Sequence, residues 1–570
     1  MIGKKRTLWA IIALAAMVTV SAACNKNGGD GVKESGDPVP PKQTAGDDGP
    51  FAKYDPPIDY TTVRSVNAGV KFKAGESYDN NIWMRDYESK LGIKLKNKWK
   101  VSDQQYQNKM NVMMVSGDLP DFMLVDAQQF QTLVQAGQIT DLTEIYKKYA
   151  SDLSKKILES GNGIPLKTAS VGGKLMGIPN GGGSRDDAPM LFIRNDWLKN
   201  VGLEPPKTMD DVIKIALAFT KNDPDKNGKN DTYGLSLDQN LWNGWSGLDG
   251  FFNGYHAYPY NPTKGSGTNL MFLKGPDGKA MWADTQPEMK TALGKLQELF
   301  KAGAIYPEFS VIDGNKSAEL ATSNKVGMTF GAFFVPTWPI NNMKKDNPEA
   351  DWGVYPLVSA DAKPVKAQST GGLPAQFWVV SKSSKHPEAV FKLLNYTMEK
   401  LYGETKDVAI YHTVDEGNGQ VYNVHMYPPI NGGLPEKNQE THYAVLEALQ
   451  KGDGSKLNQA DKAEYDSVVK YKNGDLNMWS KEKLWNAGGV FEVLGKYKKE
   501  NRVVQTAYLG APTQTMTAKG PSLRDLEVKS FTEIIIGAKP LDSFDDFVKK
   551  WMEQGGKQIL DEVNESGQLQ

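Results

Sequence analysis

Residues 222–234, with the sequence NDPDKNGKNDTYG, place oxygen-bearing side chains at alternate positions around a glycine. Counted from the first aspartate, the donors at positions 1, 3, 5, 7 and 9 are Asp223, Asp225, Asn227, the carbonyl of Lys229, and Asp231. Gly228, at position 6, permits a sharp turn. This pattern is the front half of an EF-hand-type loop, whose hard oxygen ligands suit calcium. The sequence therefore predicts a structural calcium site.

Two features argue against a catalytic role for this loop. Position 12 is Gly234 instead of a bidentate glutamate, and the nearby histidine in the sequence is His256. A catalytic metal usually keeps an open coordination position and recruits histidine or glutamate. The loop follows an amphipathic helix expected over Met209–Thr220, so we interpret it as a brace between a helix and a strand. The alternative is a solvated turn rich in Asp and Asn that holds no metal.

Residues 242–260, WNGWSGLDGFFNGYHAYPY, are unusually aromatic, with seven aromatic residues among nineteen. Core segments normally contain fewer Gly, Asn and Asp residues than this stretch, so the pattern favours a groove. Sugar rings pack their C–H faces on aromatic faces, and their hydroxyls bond to amides and carboxylates. The candidate contacts are Trp242, Trp245 and Tyr255, with Asn243 and Asn253 beside them. Local packing of these rings is the alternative.

Short apolar strands alternate with amphipathic helices from about residue 61 onward. We expect strands at Val70–Phe72, Ile93–Leu95 and Phe122–Val125, and helices over Asn81–Leu91 and around residues 106–114. This alternation predicts a mostly parallel, doubly wound sheet. Ligands bind beyond the carboxyl ends of the strands in such sheets. Asp126, directly after a strand, is therefore a cleft candidate, and an N-cap of the next helix is the alternative.

Further candidates for ligand contact occur where loops meet strands or helices. They are Asn80, Asn81 and Trp83 near the first helix, Arg185 in the Gly-rich NGGGSRDDAP segment, Trp338 in FFVPTWPI, and Trp378 in GLPAQFWVV. Asn80 has helix capping as its alternative, and Trp378 has a core position. Arg185 could bind a hydroxyl pair or a uronate carboxylate. Its alternative is a salt bridge with Asp186 or Asp187.

The N-terminus has the pattern of an export signal. Lys4, Lys5 and Arg6 precede an apolar run over Leu8–Val20, which at 13 residues is too short for a permanent membrane span of roughly 20 residues. The small residues before Cys24 resemble a lipobox, which predicts a signal peptide over residues 1–23 and lipidation of Cys24. A secretory signal with an incidental cysteine is the alternative. Residues 24–58 are expected to form a disordered tether.

Composition excludes several classes of function. The chain has 67 basic and 68 acidic residues, and removal of residues 1–23 takes away three basic ones, so a mildly acidic mature chain argues against nucleic acid as a partner. A single cysteine excludes intramolecular disulfides and cysteine zinc sites. The chain also lacks the G-x-S-x-G, H-E-x-x-H and P-loop motifs. A glycoside hydrolase, which needs two facing carboxylates, remains an open alternative.

Several segments resemble a known family in their order and spacing. They are VSGDLPDFMLVDAQQFQTLVQAGQITDLTEIYKKYAS, GGKLMGIPN, PMLFIRNDWLKNVGLEPPKTMDDV, GESYDNNIWMRDYESKLGIKLK and FTEIIIGAKPLDSFDDFVKKWMEQGG. The chain resembles the extracellular solute-binding proteins of ABC transporters that import oligosaccharides, in particular the large lipoprotein subgroup. Some sugar-binding relatives carry calcium in a similar loop, with an acidic residue where Thr232 stands in this sequence.

The resemblance implies a class II periplasmic-binding-protein-like α/β fold, with two lobes joined by hinge strands around a ligand cleft. Lobe 1 would hold residues 59–182 and about 371–400, lobe 2 would hold 188–365 and about 505–570, and residues 401–504 would form a helical extension without an assigned place. Crossings are expected near residues 180–189 and 365–372. The implied function is a non-catalytic, monomeric, lipid-anchored receptor that delivers an oligosaccharide to the ABC permease. A peptide-binding receptor of the same fold is an alternative.

Overall fold

The computed structural model describes residues 48–67, 70–242, 244–259, 271–369, 373–415 and 421–570. The predicted signal peptide, Cys24 and most of the expected tether lie outside these residues, as does Asn243. Within the described part of the chain, no helix combines the length and apolar character needed to cross a membrane.

The first 130 or so described residues build most of one hydrophobic core, which we call lobe 1. Its elements are β1 (Ile58–Val66), α1 (Ile82–Leu91), β2 (Ile93–Ser102), α2 (Asp103–Ser116), β3 (Phe122–Asp126), α3 (Ala127–Gln135), α4 (Thr143–Tyr149), α5 (Asp152–Leu158), α6 (Ile164–Thr168), β4 (Ser170–Val171), β5 (Lys174–Leu175) and β6 (Ile178–Asn180). The helix expected over Asn81–Leu91 is present as α1, which ends at Gly92 in the left-handed conformation.

The chain then builds a second hydrophobic core, which we call lobe 2. Its first elements are β7 (Met190–Arg194), α7 (Asn195–Val201), α8 (Met209–Lys221), α9 (Asp249–Gly254), β8 (Phe272–Lys274), β9 (Ala280–Trp282), α10 (Pro287–Lys301), α11 (Gly314–Thr322), β10 (Met328–Gly331), α12 (Asn341–Asp346), β11 (Trp352–Tyr355) and β12 (Ala367–Gln368). Helix α8 begins at a capping box of Thr208 and Asp211, and its apolar face packs into the core of lobe 2.

Residues 376–430 return to lobe 1, and the rest of the chain belongs to lobe 2. The return contains β13 (Gln376–Val380), α13 (Ala389–Tyr402), α14 (Val408–Tyr411), β14 (Thr413–Asp415) and β15 (Val421–Asn423). The last segment contains α15 (Lys437–Lys451), α16 (Gln459–Lys472), α17 (Trp479–Trp485), α18 (Val490–Lys499), β16 (Val503–Val504), α19 (Gln514–Ile535), α20 (Ser543–Trp551) and α21 (Lys557–Glu565). The stretch 401–504, left without a place by the sequence, is thus divided between the two cores.

The strand pairing corrects the expectation of a mostly parallel sheet. In lobe 1, β13 inserts antiparallel between β3 and β6, beside a parallel β1–β2 pair. In lobe 2, β7 lies antiparallel to both β10 and β11. The physical reason is the return of the chain: β13 enters lobe 1 from lobe 2 and therefore runs against the strands already there.

The start of lobe 1 also differs from the expectation. The strand expected at Val70–Phe72 is not formed, and the first strand is β1. The tether was expected to reach residue 58, but its last ten residues contact lobe 1. The carbonyl of Ala52 accepts a hydrogen bond from Lys392 Nζ at 2.7 Å, and the carbonyl of Pro50 accepts one from Asn395 Nδ2 at 3.0 Å.

Candidate functional site

The described chain passes between the two cores three times: through residues 181–187, between Gln368 and Gln376, and through residues 431–436. The first and third crossings are in contact. A Cβ atom on Gly183, whose φ is +82°, would lie 3.2 Å from the ring of Pro435, so this close approach requires glycine. Just beyond, Asn438 Nδ2 donates to a carboxylate oxygen of Asp186 at 2.8 Å. The third crossing was missed because its segment has no distinctive sequence pattern.

The first and second crossings are also joined. Ser369 Oγ donates to Asp187 Oδ1 at 2.5 Å, and Asn180 Nδ2 donates to Gln376 Oε1 at 3.3 Å. The second crossing continues from β12, which pairs with β16. The first crossing therefore has the third crossing as a neighbour through Gly183 and Pro435, and the second through Asp187 and Ser369. A row of this kind can act as a hinge.

The lobe 1 end of this row carries hydrogen-bonding side chains. Gln376 is in register with Asp126 on one side and with Asn180 on the other. Asp126 also caps α3, because its Oδ1 accepts from the backbone N–H of Gln129 at 2.8 Å. Asp126 is therefore an N-cap, as the alternative interpretation expected. Its carboxylate also lies at the carboxyl end of β3, where the sequence predicted a cleft residue. An amide pair and a carboxylate at this edge can bind hydroxyl groups.

A cavity of about 210 Å³ is lined by both lobes. Lobe 1 contributes residues of α3, the second crossing contributes Leu373–Ala375, and lobe 2 contributes Tyr508–Pro512, Ser566 and Gln568. Its lining combines aromatic residues such as Phe130 with amides such as Gln131. Enclosed small-molecule pockets usually measure roughly 300–1,000 Å³, so this cavity would hold only part of an oligosaccharide. Sequence reasoning missed it because five separate segments of the chain assemble it.

Arg185, in the first crossing, is half-buried, and its side chain makes no hydrogen bond or ion pair with any residue that the structure describes. The expected salt bridge to Asp186 or Asp187 is not formed, since these carboxylates bond to Asn438 and Ser369. Burial raises the pKa of Asp186 above its ordinary value, despite the hydrogen bond from Asn438. The guanidinium of Arg185 is thus available for an external ligand.

All three aromatic candidates in residues 242–260, Trp242, Trp245 and Tyr255, lie in the hydrophobic core of lobe 2. The side chain of Trp242 is 5% exposed, and its ring packs 5.3 Å from Phe252 and 6.2 Å from Phe531. Tyr255 is buried against Phe251. The packing alternative therefore describes the surroundings of all three residues. A direct ligand contact at any of them would require lobe 2 to open locally.

Trp245 and Trp338 form an edge-to-face pair with ring centroids 6.5 Å apart. Trp245 is buried and bridges to Gly331 at the end of β10. Trp338 follows the same strand and is 39% exposed, which makes it the most open aromatic side chain among the described ligand candidates. Of these rings, Trp338 alone is partly exposed.

The remaining lobe 1 candidates have structural partners. Asn81, fully buried, caps α1 through the backbone N–H groups of Trp83 and Met84. Trp83 is buried, and its Nε1 donates to the carbonyl of Val424 at 2.9 Å. Asn80 is exposed and bonds to the carbonyl of Gly75.

Trp378 lies within β13, between its register partners Leu124 and Ile178, and is buried. Trp378 therefore occupies a core position, as the alternative interpretation expected. A role in ligand contact stays a prediction for these lobe 1 residues.

The loop at residues 222–234 closes on itself through local hydrogen bonds. The Asp223 carboxylate accepts from the backbone N–H groups of Asn227 at 3.0 Å and Gly228 at 2.9 Å. Asn227 Oδ1 accepts from the backbone N–H of Lys229 at 2.8 Å. Gly228 has a φ of +77°, as the sharp turn requires.

The donor set of this loop fits calcium in type. Asn227 Nδ2 donates to both Asp225 and Asp231, at 2.9 and 3.1 Å, which brings the two carboxylates together. Asp225 Oδ1 is buried and has no hydrogen-bond partner among the described residues. Burial, followed by the neighbouring carboxylates, raises the pKa of Asp225. A cation would satisfy this oxygen. The acidic, histidine and cysteine side chains of the described residues do not, however, converge in any group of three or more.

The twelfth position of the loop cannot supply a ligand. A Cβ atom on Gly234 would lie 2.1 Å from the carbonyl oxygen of Ala216 in α8, so no glutamate fits there. Thr232 donates its hydroxyl to the carbonyl of Phe219 at 2.7 Å. Both residues fasten the loop to α8.

The loop lies at the end of β7 that is remote from the crossings. Asn324 links the two: its Nδ2 donates to Asp225 Oδ2 at 3.3 Å, and its Oδ1 accepts from Arg194 Nη1 at 2.6 Å. Arg194 is the last residue of β7, whereas Met190 at its start follows the first crossing. Four residue steps along a strand span roughly 13 Å. The loop is therefore placed to brace lobe 2 and is distant from the cleft.

A family model described as bacterial extracellular solute-binding protein matches residues 73–399 of the chain. Lipoprotein LipO of Bacillus subtilis is 25% identical over 505 residues, covering 85% of this chain and 88% of LipO. The polygalacturonan/rhamnogalacturonan-binding protein YtcQ of the same organism is 24% identical over 501 residues, covering 85% of this chain and 87% of YtcQ.

Among solved structures, a similar fold is found in an ABC-transporter-associated solute-binding protein of Bifidobacterium longum infantis. The TM-score is 0.57 and the identity 14%, over 89% of this chain and 98% of the other. This likeness confirms the two-lobed α/β fold that the sequence resemblance implied.

Proposed function

The chain belongs to the bacterial extracellular solute-binding proteins, and on this premise we propose that it captures an oligosaccharide between its lobes and delivers it to the permease of an ABC importer. The observation that carries the proposal is the row of crossings bordered by hydrogen-bonding groups. A ligand that contacts both lobes stabilises their closed arrangement and so shifts the hinge equilibrium. The edge at Asp126, Asn180 and Gln376 would bind hydroxyls, and Trp338 would offer a ring face.

The test is to incubate the mature protein with plant and microbial oligosaccharides and to follow both its melting temperature and the sugar. A receptor is stabilised, by about 2.7 kcal/mol at a ligand concentration one hundred times Kd, and returns the sugar intact. Shortened sugar would instead support the glycoside hydrolase alternative. Stabilisation by peptides but by no sugar would support a peptide receptor.

We further propose that Arg185 reads an acidic group on the ligand. A half-buried guanidinium that has no partner among the described residues can form paired hydrogen bonds with a uronate carboxylate. The name of the relative YtcQ, which binds uronate-containing polymers, supports this choice. Arg185→Gln should weaken binding of an oligogalacturonate by about 1.5–3 kcal/mol and hardly change that of a neutral oligosaccharide of equal length. Equal losses for both ligands would contradict the assignment.

The anchor and the metal complete the proposal. Cys24, outside the described residues, would carry the lipid that holds the protein on the outer face of the cell membrane. Cys24→Ser should then release the protein into the medium. Calcium would be held by Asp223, Asp225, Asn227 and Asp231 with the carbonyl of Lys229, and it would supply rigidity to lobe 2 and no chemistry. The protein would act as a monomer.

A further inference from the structure

Lys325 places a positive charge directly on the candidate calcium loop. Its Nζ lies 2.5 Å from Asp231 Oδ2, and the other oxygen of Asp231 accepts from Asn227. The backbone of Lys325 is held in place, because its carbonyl accepts from Tyr233 N–H at 2.8 Å and the next residue, Val326, bridges to Tyr233. The backbone on both sides of the Lys325–Asp231 ion pair is therefore held by hydrogen bonds, which fixes the position from which the ammonium group reaches Asp231.

The loop has few other donors with which to compensate for a lost carboxylate oxygen. Gly234 excludes a side chain at the twelfth position, and Thr232 is bonded to α8. Asp231 is therefore the last side-chain ligand that the loop can provide. One of its two oxygens is already paired with Lys325.

We propose that Lys325 is a built-in counterion of the loop, which competes with calcium for Asp231 and stands in for the cation when calcium is scarce. This inference rests on the calcium binding proposed above. The ammonium neutralises part of the negative charge of the loop, and calcium affinity in such loops follows the number and charge of the ligands. Lys325 therefore lowers the affinity for calcium and stabilises lobe 2 in its absence.

The test compares Lys325→Met with Lys229→Met in the full mature protein after chelation. Both substitutions remove one positive charge near the loop, but Lys229 offers the loop its backbone carbonyl and forms no ion pair among the described residues. Calorimetric titration with calcium chloride should give a Kd about two- to fivefold lower for Lys325→Met than for the wild type, with a smaller change for Lys229→Met. Without calcium, Lys325→Met should have the lowest melting temperature of the three, and calcium should restore it.

A double variant separates charge competition from a general effect on the fold. In the background of Asp231→Asn, replacing Lys325 should no longer tighten calcium binding, because the ion pair is already lost. Equal calcium affinities of Lys325→Met and Lys229→Met would overturn the inference while leaving the calcium site intact. Absence of calcium binding in the wild type and in both variants would overturn the inference and the site together. Sugar binding by the same samples tests the receptor function independently of either result.

Discussion

The calcium-type loop and the aromatic segment 242–260 both have residue types suited to binding, yet the partners of their side chains lie at very different distances along the chain. The loop is closed by hydrogen bonds within residues 223–231, so its shape depends on neighbours in the sequence. The aromatic rings meet partners hundreds of residues away, such as Phe531. Spacing along the chain therefore predicts a local turn well, whereas the burial of a ring depends on segments that no local pattern reveals.

The strongest test of this contrast is Trp242→Ala. Because the ring is buried between Phe252 and Phe531, its removal should lower the free energy of unfolding by about 3–5 kcal/mol. Chemical denaturation measures this loss. Sugar affinity of the fraction that remains folded should be unchanged, since the ring lies inside lobe 2.

The matched control is Trp338→Ala, which removes a partly exposed ring from the same lobe. Its expected effect is reversed, with little loss of stability and weaker sugar binding. If Trp242→Ala instead folds normally and loses sugar binding, the aromatic segment is a groove as its composition suggested, and the contrast between the two regions disappears.

The same difference between local and distant partners decides which elements of the fold could be predicted from the sequence. Helix α1 begins one residue after the expected start, and α8 begins where it was expected and ends one residue later, because capping residues and the spacing of buried side chains lie within each segment. The antiparallel insertion of β13 and the third crossing at Pro435 were not predictable, since each is defined by a partner far along the chain. The cavity lined by both lobes was not predictable from the sequence for the same reason.

Removal of calcium is the second test and concerns the calcium-type loop. Chelation, or Asp225→Ala in the presence of calcium, should lower the free energy of unfolding by about 1–2 kcal/mol, given the roughly 10⁻⁴ to 10⁻³ M affinity of extracellular loops. The loop contacts the far end of β7 through Asn324, so sugar affinity should change little. A large loss of sugar affinity on chelation would mean that the loop and the cleft are coupled.

The last prediction concerns Glu527→Gln, in the interior beside the aromatic segment, and its effect depends on pH. Glu527 is fully buried in α19, and burial, followed by the negative charge of Asp284, raises its pKa well above the ordinary value. The folded protein therefore keeps a proton that the unfolded chain has released above about pH 4.5, so stability falls as the pH rises from there. Glutamine removes this dependence, which for one group is at most about 1.4 kcal/mol per pH unit. The melting temperature of the variant minus that of the wild type should be larger at pH 8 than at pH 5. Glu565→Gln, at an exposed site, should show no such dependence on pH. An unchanged pH profile would mean that water reaches Glu527, and with it the interior around Trp242.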